Sequence, residues 1–200
     1  MSQSDDLHNR INKALSNLNK EKSLLVAISC SADLFKYYKK FHTETCFKDT
    51  DFLNERIEEF WKAKIENIGI KLDYSFDTLI SYAPDSELFN SNYTNPACNT
   101  VTAISIIGEN FISFGTEDCM TVVELTFEHV EMHLTDLYAD AKTAFEGGAE
   151  LEKFIKESAL MLSQLHLILE LIEYVGKMNR INKNSLNELK SMIGNKGTLY

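Results

Sequence analysis

The chain has 200 residues, of which 44% are hydrophobic and 25% are charged, and its formal net charge at pH 7 is −10. This length suits one domain, and this balance of apolar and charged residues excludes an intrinsically disordered chain. The acidic charge and the lack of a basic stripe argue against nucleic-acid binding, because a phosphate backbone would be repelled.

The beginning of the chain and its cysteines predict a cytoplasmic protein. Residues 1–6 are polar and acidic and lack the apolar stretch of an export signal. The most apolar segment, residues 159–175, contains polar and charged residues and is short for a membrane span, so we expect a buried helix. Four cysteines occur without a C-x-x-C pair and are expected to be reduced, buried thiols: Cys30, Cys46, Cys98 and Cys119.

Apolar residues at spacings of three and four run along most of the chain, and few glycines or prolines interrupt them. The predicted helices, in chain order, cover residues 7–18, 23–38, 51–69, 76–80, 95–111, 117–145, 151–175 and 185–194. Residues 68–72 alternate like a strand but find no partner strand, so we interpret them as a connection. The predicted fold class is therefore all-α, a single-domain bundle of about seven to eight helices over residues 1–200, with a short helix and tail at 184–200.

Four helix starts carry an N-cap or capping-box signal. Ser4 precedes the first helix, and Asp51 opens the third. Asn95 followed by a proline is typical of an N-cap and the first helical position. Ser185, with a glutamate three residues later, matches a capping box at the start of the terminal helix.

Charge is strongly segregated along the chain. The seventy residues 72–141 contain twelve Asp and Glu residues and no Lys or Arg, whereas both flanks are nearly neutral. This distribution predicts a negative surface that faces a basic protein partner, in two patches on either side of a buried helix at 97–107. The candidate partner-binding surface consists of acidic residues in this segment: Asp85, Glu87, Glu117, Asp118, Glu124, Glu128, Glu131, Asp136 and Asp140.

One stretch of the predicted helix at 117–145 combines histidines with acids. His129, His133, Asp136 and Asp140 share one side of that helix, at the edge of its apolar face. Two histidines four residues apart can hold one metal ion, with carboxylates completing its coordination. The H-E-x-x-H arrangement of a metalloprotease is missing, however, and a partly exposed helix flank explains the residues more simply. No metal or other cofactor is therefore predicted, and these four residues are the candidates if there is one.

No other pattern predicts catalysis. The chain lacks a G-x-S-x-G turn and a glycine-rich phosphate loop, and the glycine pair at 147–148 is interpreted as a helix end. Cys46 follows His42 by four residues, which we also interpret as a helix end rather than a nucleophile and its base. His166 lies among apolar residues and is expected to be a hydrogen-bonded core histidine. The aromatic cluster at 35–47 is expected to be core as well.

Several local motifs occur in the order typical of a known family. They are the aromatic residues 35–41 leading into Cys46-Phe47-Lys48-Asp49, then Phe60-Trp61, Ala83-Pro84-Asp85 and Pro96-Ala97-Cys98. Over residues 7–112 this pattern resembles the YjaG-like family of bacterial proteins, domain of unknown function 416. The resemblance implies an all-helical cytoplasmic protein with no established activity and no catalytic residues to transfer. Lys48 stands where the family has a glycine, and the histidine pair has no counterpart there, so we expect a divergent member.

Three functional hypotheses follow from these observations. The first is a non-enzymatic cytoplasmic binding protein, most concretely an immunity-type protein that neutralises a basic toxin or effector through its acidic surface. The second is a housekeeping YjaG-like protein with an unknown ligand or a homo-oligomeric role. The third is a metal-dependent enzyme that uses His129, His133, Asp136 and Asp140. The first, which involves neither membrane nor nucleic acid, is preferred because no catalytic constellation accompanies the acidic segment.

Overall fold

Nine helices make up the described part of the protein, and the all-α prediction is confirmed. The computed structural model describes residues 2–70, 73–141 and 148–196. The helices are α1 (Gln3–Ser16), α2 (Lys20–Thr45), α3 (Asp51–Glu66), α4 (Phe76–Ile80), α5 (Thr94–Asn110), α6 (Thr116–Ala141), α7 (Gly148–Glu157), α8 (Ala159–Lys177) and α9 (Lys183–Lys196). Three predicted features lie wholly or partly outside the described residues: the end of the connection at 71–72, the helix end at 142–147 and the tail beyond 196.

The core is built around α2, which is buried on most of its circumference. Fifteen of its 26 residues are buried, including the continuous run 23–31. A helix that is apolar all round needs neighbours on every side. α5 and α6 pack along α2, and α3, α8 and α9 cover its other faces, while α1 packs against α8. α6 contributes Val123, Phe127 and Val130 to this core, so the opposite face of α6 points to solvent.

Two helices begin about one turn away from the predicted cap. α1 starts with a capping box in which Ser2 Oγ accepts a hydrogen bond from the Asp5 N–H, and the Asp5 carboxylate accepts one from the Ser2 N–H. Ser4, the predicted cap, is therefore buried inside the helix. α9 uses Asn182 and Ser185 in the same reciprocal way, so Ser185 closes the box rather than opening it.

The starts of α3 and α5 also differ from the prediction. Asp49 Oδ1 accepts hydrogen bonds from the N–H groups of Asp51 (3.1 Å) and Phe52 (3.4 Å), so Asp49 rather than Asp51 caps α3. α5 begins behind Tyr93, which provides no side-chain cap, and Asn95 lies inside the first turn. The predicted N-cap role of Asn95 is therefore wrong, and the beginning of α5 has no capping side chain.

The helix predicted at 151–175 is in fact two helices, α7 and α8. Ser158 separates them with an extended backbone, and its Oγ accepts a hydrogen bond from the Leu160 N–H at 3.2 Å. Eight residues of α8 are buried, as expected for a core helix, although α8 also has the length and composition of a membrane-crossing helix. The prediction for His166 is wrong, because that side chain lies on the exposed side of α8.

The pair His42 and Cys46 closes α2, as predicted. Cys46 is the C-cap in a left-handed conformation, and His42 Nδ1 donates to the carbonyl oxygens of Phe47 and Lys48. Lys48 itself has φ of 35°, a left-handed conformation that favours glycine. All four cysteines are free thiols, but the expectation of burial is wrong for Cys46, which is exposed at the helix end.

Candidate functional site

The solvent-facing side of α6 carries a row of four carboxylates, which we call the acidic α6 stripe: Glu117, Glu124, Glu128 and Glu131. Their spacing of seven, four and three residues places them within about 60° of one another around the helix axis. The row extends about 21 Å along α6, and all four residues are exposed. Consecutive carboxylates on one face repel each other, so the stripe presents a concentrated negative potential.

The ion pairs of the described residues leave out the acidic α6 stripe, although Lys156 lines a cavity together with Glu131. Among the residues that the structure describes, no lysine, arginine or histidine forms an ion pair with any of its four carboxylates. Of the four, Glu128 has a side-chain partner among the described residues, since its Oε2 accepts a hydrogen bond from Asn99 Nδ2 at 3.3 Å. Within the described part of the protein, no ion pair therefore neutralises the charge of the stripe, and solvent ions screen it.

A groove of about 300 Å³ runs between α1 and α6 beside the stripe. Its apolar lining comes from Leu15 on α1 and from Met120, Val123 and Phe127 on α6, and its acidic edge is formed by Glu124, Glu128 and Glu131. The ring of His8 packs edge-on against Phe127 with 5.1 Å between centroids. An apolar surface bordered by carboxylates suits a lysine or arginine side chain, whose stem is apolar and whose end is cationic.

The other predicted acidic residues do not join this stripe. Asp118 Oδ2 accepts a hydrogen bond from the Gly115 N–H at 2.8 Å at the start of α6, and Asp85 Oδ1 accepts one from the Glu87 N–H at 2.8 Å. Asp85 and Glu87 are exposed in the loop before α5, whereas Asp136 lies on another side of α6. The side chain of Asp140 lies outside the described part of the structure.

The histidine pair on α6 runs from the core to the surface. His129 is only 5% exposed, and its ring lies against that of Tyr37 on α2 with 3.9 Å between centroids. Burial, together with the smaller effects of the charges of Lys36, His133 and Lys40, lowers the pKa of His129 to about 3. His129 is therefore a neutral imidazole at physiological pH.

Two adjoining cavities of about 200 and 40 Å³ share His129, His133 and Asn92, and we call them together the histidine pocket. Tyr93 lines the smaller cavity and Asp136 the larger one. Among the described residues, no three His, Cys, Asp or Glu side chains are arranged to hold a metal ion. No observation on these residues therefore favours the metal-dependent enzyme.

Sequence reasoning missed the residues that other helices bring to α6. Tyr37 was assigned to the aromatic core, although its ring also covers His129, and nothing linked Lys36 or Lys40 to the histidine pair. His8 and Asn12 on α1 border the groove, but their relation to α6 depends on how α1 packs. The alternation of polar and apolar residues on α1 predicts only which face is buried, not which helix it meets.

Comparison with known proteins identifies the family. The family model described as "Protein of unknown function (DUF416)" matches residues 10–198. The chain belongs to this family. Among solved structures, the crystal structure of a DUF416 family protein from Shewanella baltica OS155 superposes with a TM-score of 0.75 at 21% sequence identity, covering 92% of this chain and 93% of that one. This likeness confirms the fold, and the comparison with curated proteins gave no match.

The family match confirms the resemblance found in the sequence and extends it. The resemblance covered residues 7–112, whereas the matched segment continues through α6, α7, α8 and all of α9. The acidic α6 stripe and the histidine pocket therefore lie within the family domain. The family description itself names no function, so the function must be argued from these surfaces.

Proposed function

We propose that this DUF416 protein is a non-enzymatic cytoplasmic binding protein that docks a basic protein on the acidic α6 stripe and the adjoining groove. The observation that supports the proposal most is the combination of four exposed carboxylates in one row with an apolar groove beside them. Solubility alone needs scattered charge and no groove. Binding a basic partner makes use of both features, since carboxylates steer the encounter and the groove buries apolar surface.

The most concrete form of this function is that of an immunity-type protein that neutralises a basic toxin or effector. An inhibitor of this kind must capture its target quickly, before the target acts. Opposite charge on the two partners raises the association rate by one to three orders of magnitude. A toxin that binds nucleic acid is itself basic, because it must contact phosphate groups. The acidic α6 stripe has the charge that such a target requires.

The proposal is tested by capture from the native host with two charge-matched variants. Glu124→Lys/Glu128→Lys reverses the middle of the stripe, and Glu66→Lys/Glu109→Lys makes the same change in net charge elsewhere. Glu66 and Glu109 are exposed residues near the C-terminal ends of α3 and α5, where a lysine is compatible with the helix dipole. A basic protein should co-purify with wild type and with the control variant, and should be lost with the stripe variant.

The immunity-type function then predicts a growth phenotype. Expression of the captured basic protein alone should arrest growth, and co-expression of the wild type or the control variant should restore it. The stripe variant should restore growth poorly. Retention of the partner by Glu124→Lys/Glu128→Lys would contradict the docking proposal. A captured partner that is harmless when expressed alone would contradict only the immunity-type role.

A further inference from the structure

The histidine pocket is separate from the acidic α6 stripe. This pocket lies about a quarter of a turn or more away from the stripe around the axis of α6, because its α6 residues, His129, His133 and Asp136, face the loop that precedes α5. Side chains of that loop supply amides and hydroxyls to the larger cavity, among them Ser86, Asn90 and Asn92. A cavity with several convergent polar groups is a candidate site for a small polar ligand.

The smaller cavity is suited to a negatively charged group of a few atoms. Its volume of about 40 Å³ is enough for only a few water-sized groups, and it is lined by Asn92, Tyr93, His129 and His133. The ammonium group of Lys40 lies 5.3 Å from the centre of the Tyr93 ring, and Lys36 and Lys40 both act electrostatically on His129. A carboxylate placed here would meet positive potential together with amide and imidazole donors.

The start of α5 adds to this positive potential. Thr94, Asn95 and Pro96 line the larger cavity and form the first turn of α5, a helix of 17 residues. This turn contains no acidic residue and has no side-chain cap, so no carboxylate of the turn offsets the positive end of the helix dipole. Asn92 and Tyr93, which line the smaller cavity, immediately precede this turn, so the dipole favours an anionic group in the smaller cavity.

The larger cavity carries a negative charge at its other side. Asp136 is exposed, and among the described residues no cation forms an ion pair with it. It follows His133 by three residues on α6, a spacing that puts the two Cβ atoms about 5–6 Å apart. Two other carboxylates of this region have partners: Asp33 pairs with Lys36 at 2.6 Å, which offsets both charges and leaves Lys40 as the main source of positive potential, and Glu44 accepts a hydrogen bond from the Ser91 hydroxyl at 2.6 Å.

We infer that the histidine pocket binds a small zwitterionic ligand, a free α-amino acid, with its carboxylate in the smaller cavity and its ammonium group beside Asp136. The short separation of His133 and Asp136 matches the short separation of the two charged groups in such a ligand. The neutral His129 can donate one N–H to the carboxylate. The larger cavity, about 200 Å³, then receives the side chain among the amides of Asn90 and Asn95.

The test begins with the full chain and the proteinogenic L-amino acids, each added singly at millimolar concentration in a thermal-shift assay. The strongest binder is then compared by calorimetry with its decarboxylated amine and its deaminated acid. Each analogue lacks one of the two charges, so each should bind at least about tenfold weaker. Inorganic phosphate provides the probe for a site that recognises only negative charge.

Variants separate the two ends of the pocket. Asp136→Asn should weaken amino-acid binding at least about tenfold but leave binding of the deaminated acid unchanged, because only the ammonium contact is lost. His133→Gln should weaken the amino acid and the deaminated acid together. Glu117→Gln, on the same helix but outside the pocket, should change nothing. Since the analogues test the wild type, the result does not depend on whether His133→Gln folds.

Two outcomes would overturn the inference. The first is that no amino acid shifts the melting temperature or gives heat of binding. The second is that phosphate binds as tightly as the best amino acid and binds more tightly still to Asp136→Asn. That result would show that the pocket recognises only negative charge. The stripe variant Glu124→Lys/Glu128→Lys should still bind the amino acid, so failure of the docking proposal and failure of this one can be told apart.

Discussion

The low pKa of the buried His129 predicts how the free energy of unfolding changes with pH. His129 has a pKa of about 3 in the folded protein because it is buried and lies near Lys36, Lys40 and His133. In the unfolded chain its pKa returns to about 6.5. Below pH 6.5 the unfolded state therefore binds a proton that the folded state does not bind. Stability that is fully present above pH 6.5 is lost as the pH falls toward the folded pKa.

The size of this loss can be calculated between pH 7 and pH 5. The folded pKa lies well below 5, so the change depends almost entirely on protonation of the unfolded state. Linkage then gives a decrease in the free energy of unfolding of about 2 kcal/mol from His129 alone. This is a substantial part of the stability of a typical domain, which is about 5–15 kcal/mol.

The assay is urea unfolding of the wild type and of His129→Gln at pH 7, 6 and 5, followed by circular dichroism. The other four histidines are common to both proteins, so the difference between the two pH profiles isolates His129. The wild type should lose about 2 kcal/mol more than the variant between pH 7 and pH 5. Equal losses would refute the reasoning, and so would a His129 resonance that titrates near pH 6.5 in an NMR experiment on the folded protein.

Three further predictions concern the free energy of unfolding, measured by urea denaturation. Lys48→Gly should be about 1 kcal/mol more stable than Lys48→Ala, because both lose the lysine contacts but only glycine favours the left-handed conformation; equal stabilities would contradict this. Asp49→Ala should lower the free energy of unfolding by about 1 kcal/mol, because it removes the cap of α3. Asp49→Asn should retain most of that stability, because the amide oxygen can accept the same hydrogen bonds. Arg56→Lys should lower the free energy of unfolding by about 1 kcal/mol although the positive charge is kept, because the guanidinium lies over the rings of Phe52 and Tyr74. An unchanged free energy of unfolding would show that this stacking does not contribute to stability.

The helical class could be predicted from the sequence because apolar spacing is a local signal. The run 23–31 on α2 is apolar or small at nearly every position, and it is the most buried segment in the structure. Helix boundaries were less predictable, since the chain offers several capping residues within a turn. At the start of α1, both Ser2 and Ser4 are suitable caps, and at the start of α3 both Asp49 and Asp51 are. Only the structure shows which side-chain oxygen accepts the backbone N–H groups. The break at Ser158 was not predicted because no glycine or proline lies between α7 and α8.

The candidate sites were only partly predictable for a different reason. Helical spacing is enough to place Glu117, Glu124, Glu128 and Glu131 on one face of α6, although the prediction grouped them with five other acidic residues. The groove depends on α1 packing beside that face, and the environment of His129 depends on α2. Such contacts join residues far apart in the sequence, and no local pattern encodes them.

The central claim is that the acidic α6 stripe captures a basic protein, and its most direct test is the association rate of the captured partner as a function of salt. The rate for the wild type should fall about tenfold or more between about 0.02 M and 0.5 M salt, because screening removes the steering by charge. Glu124→Lys/Glu128→Lys should be slow and nearly independent of salt, whereas Glu66→Lys/Glu109→Lys should behave much more like the wild type. An association rate that is the same at low and high salt, or the same for the wild type and the stripe variant, would contradict the claim.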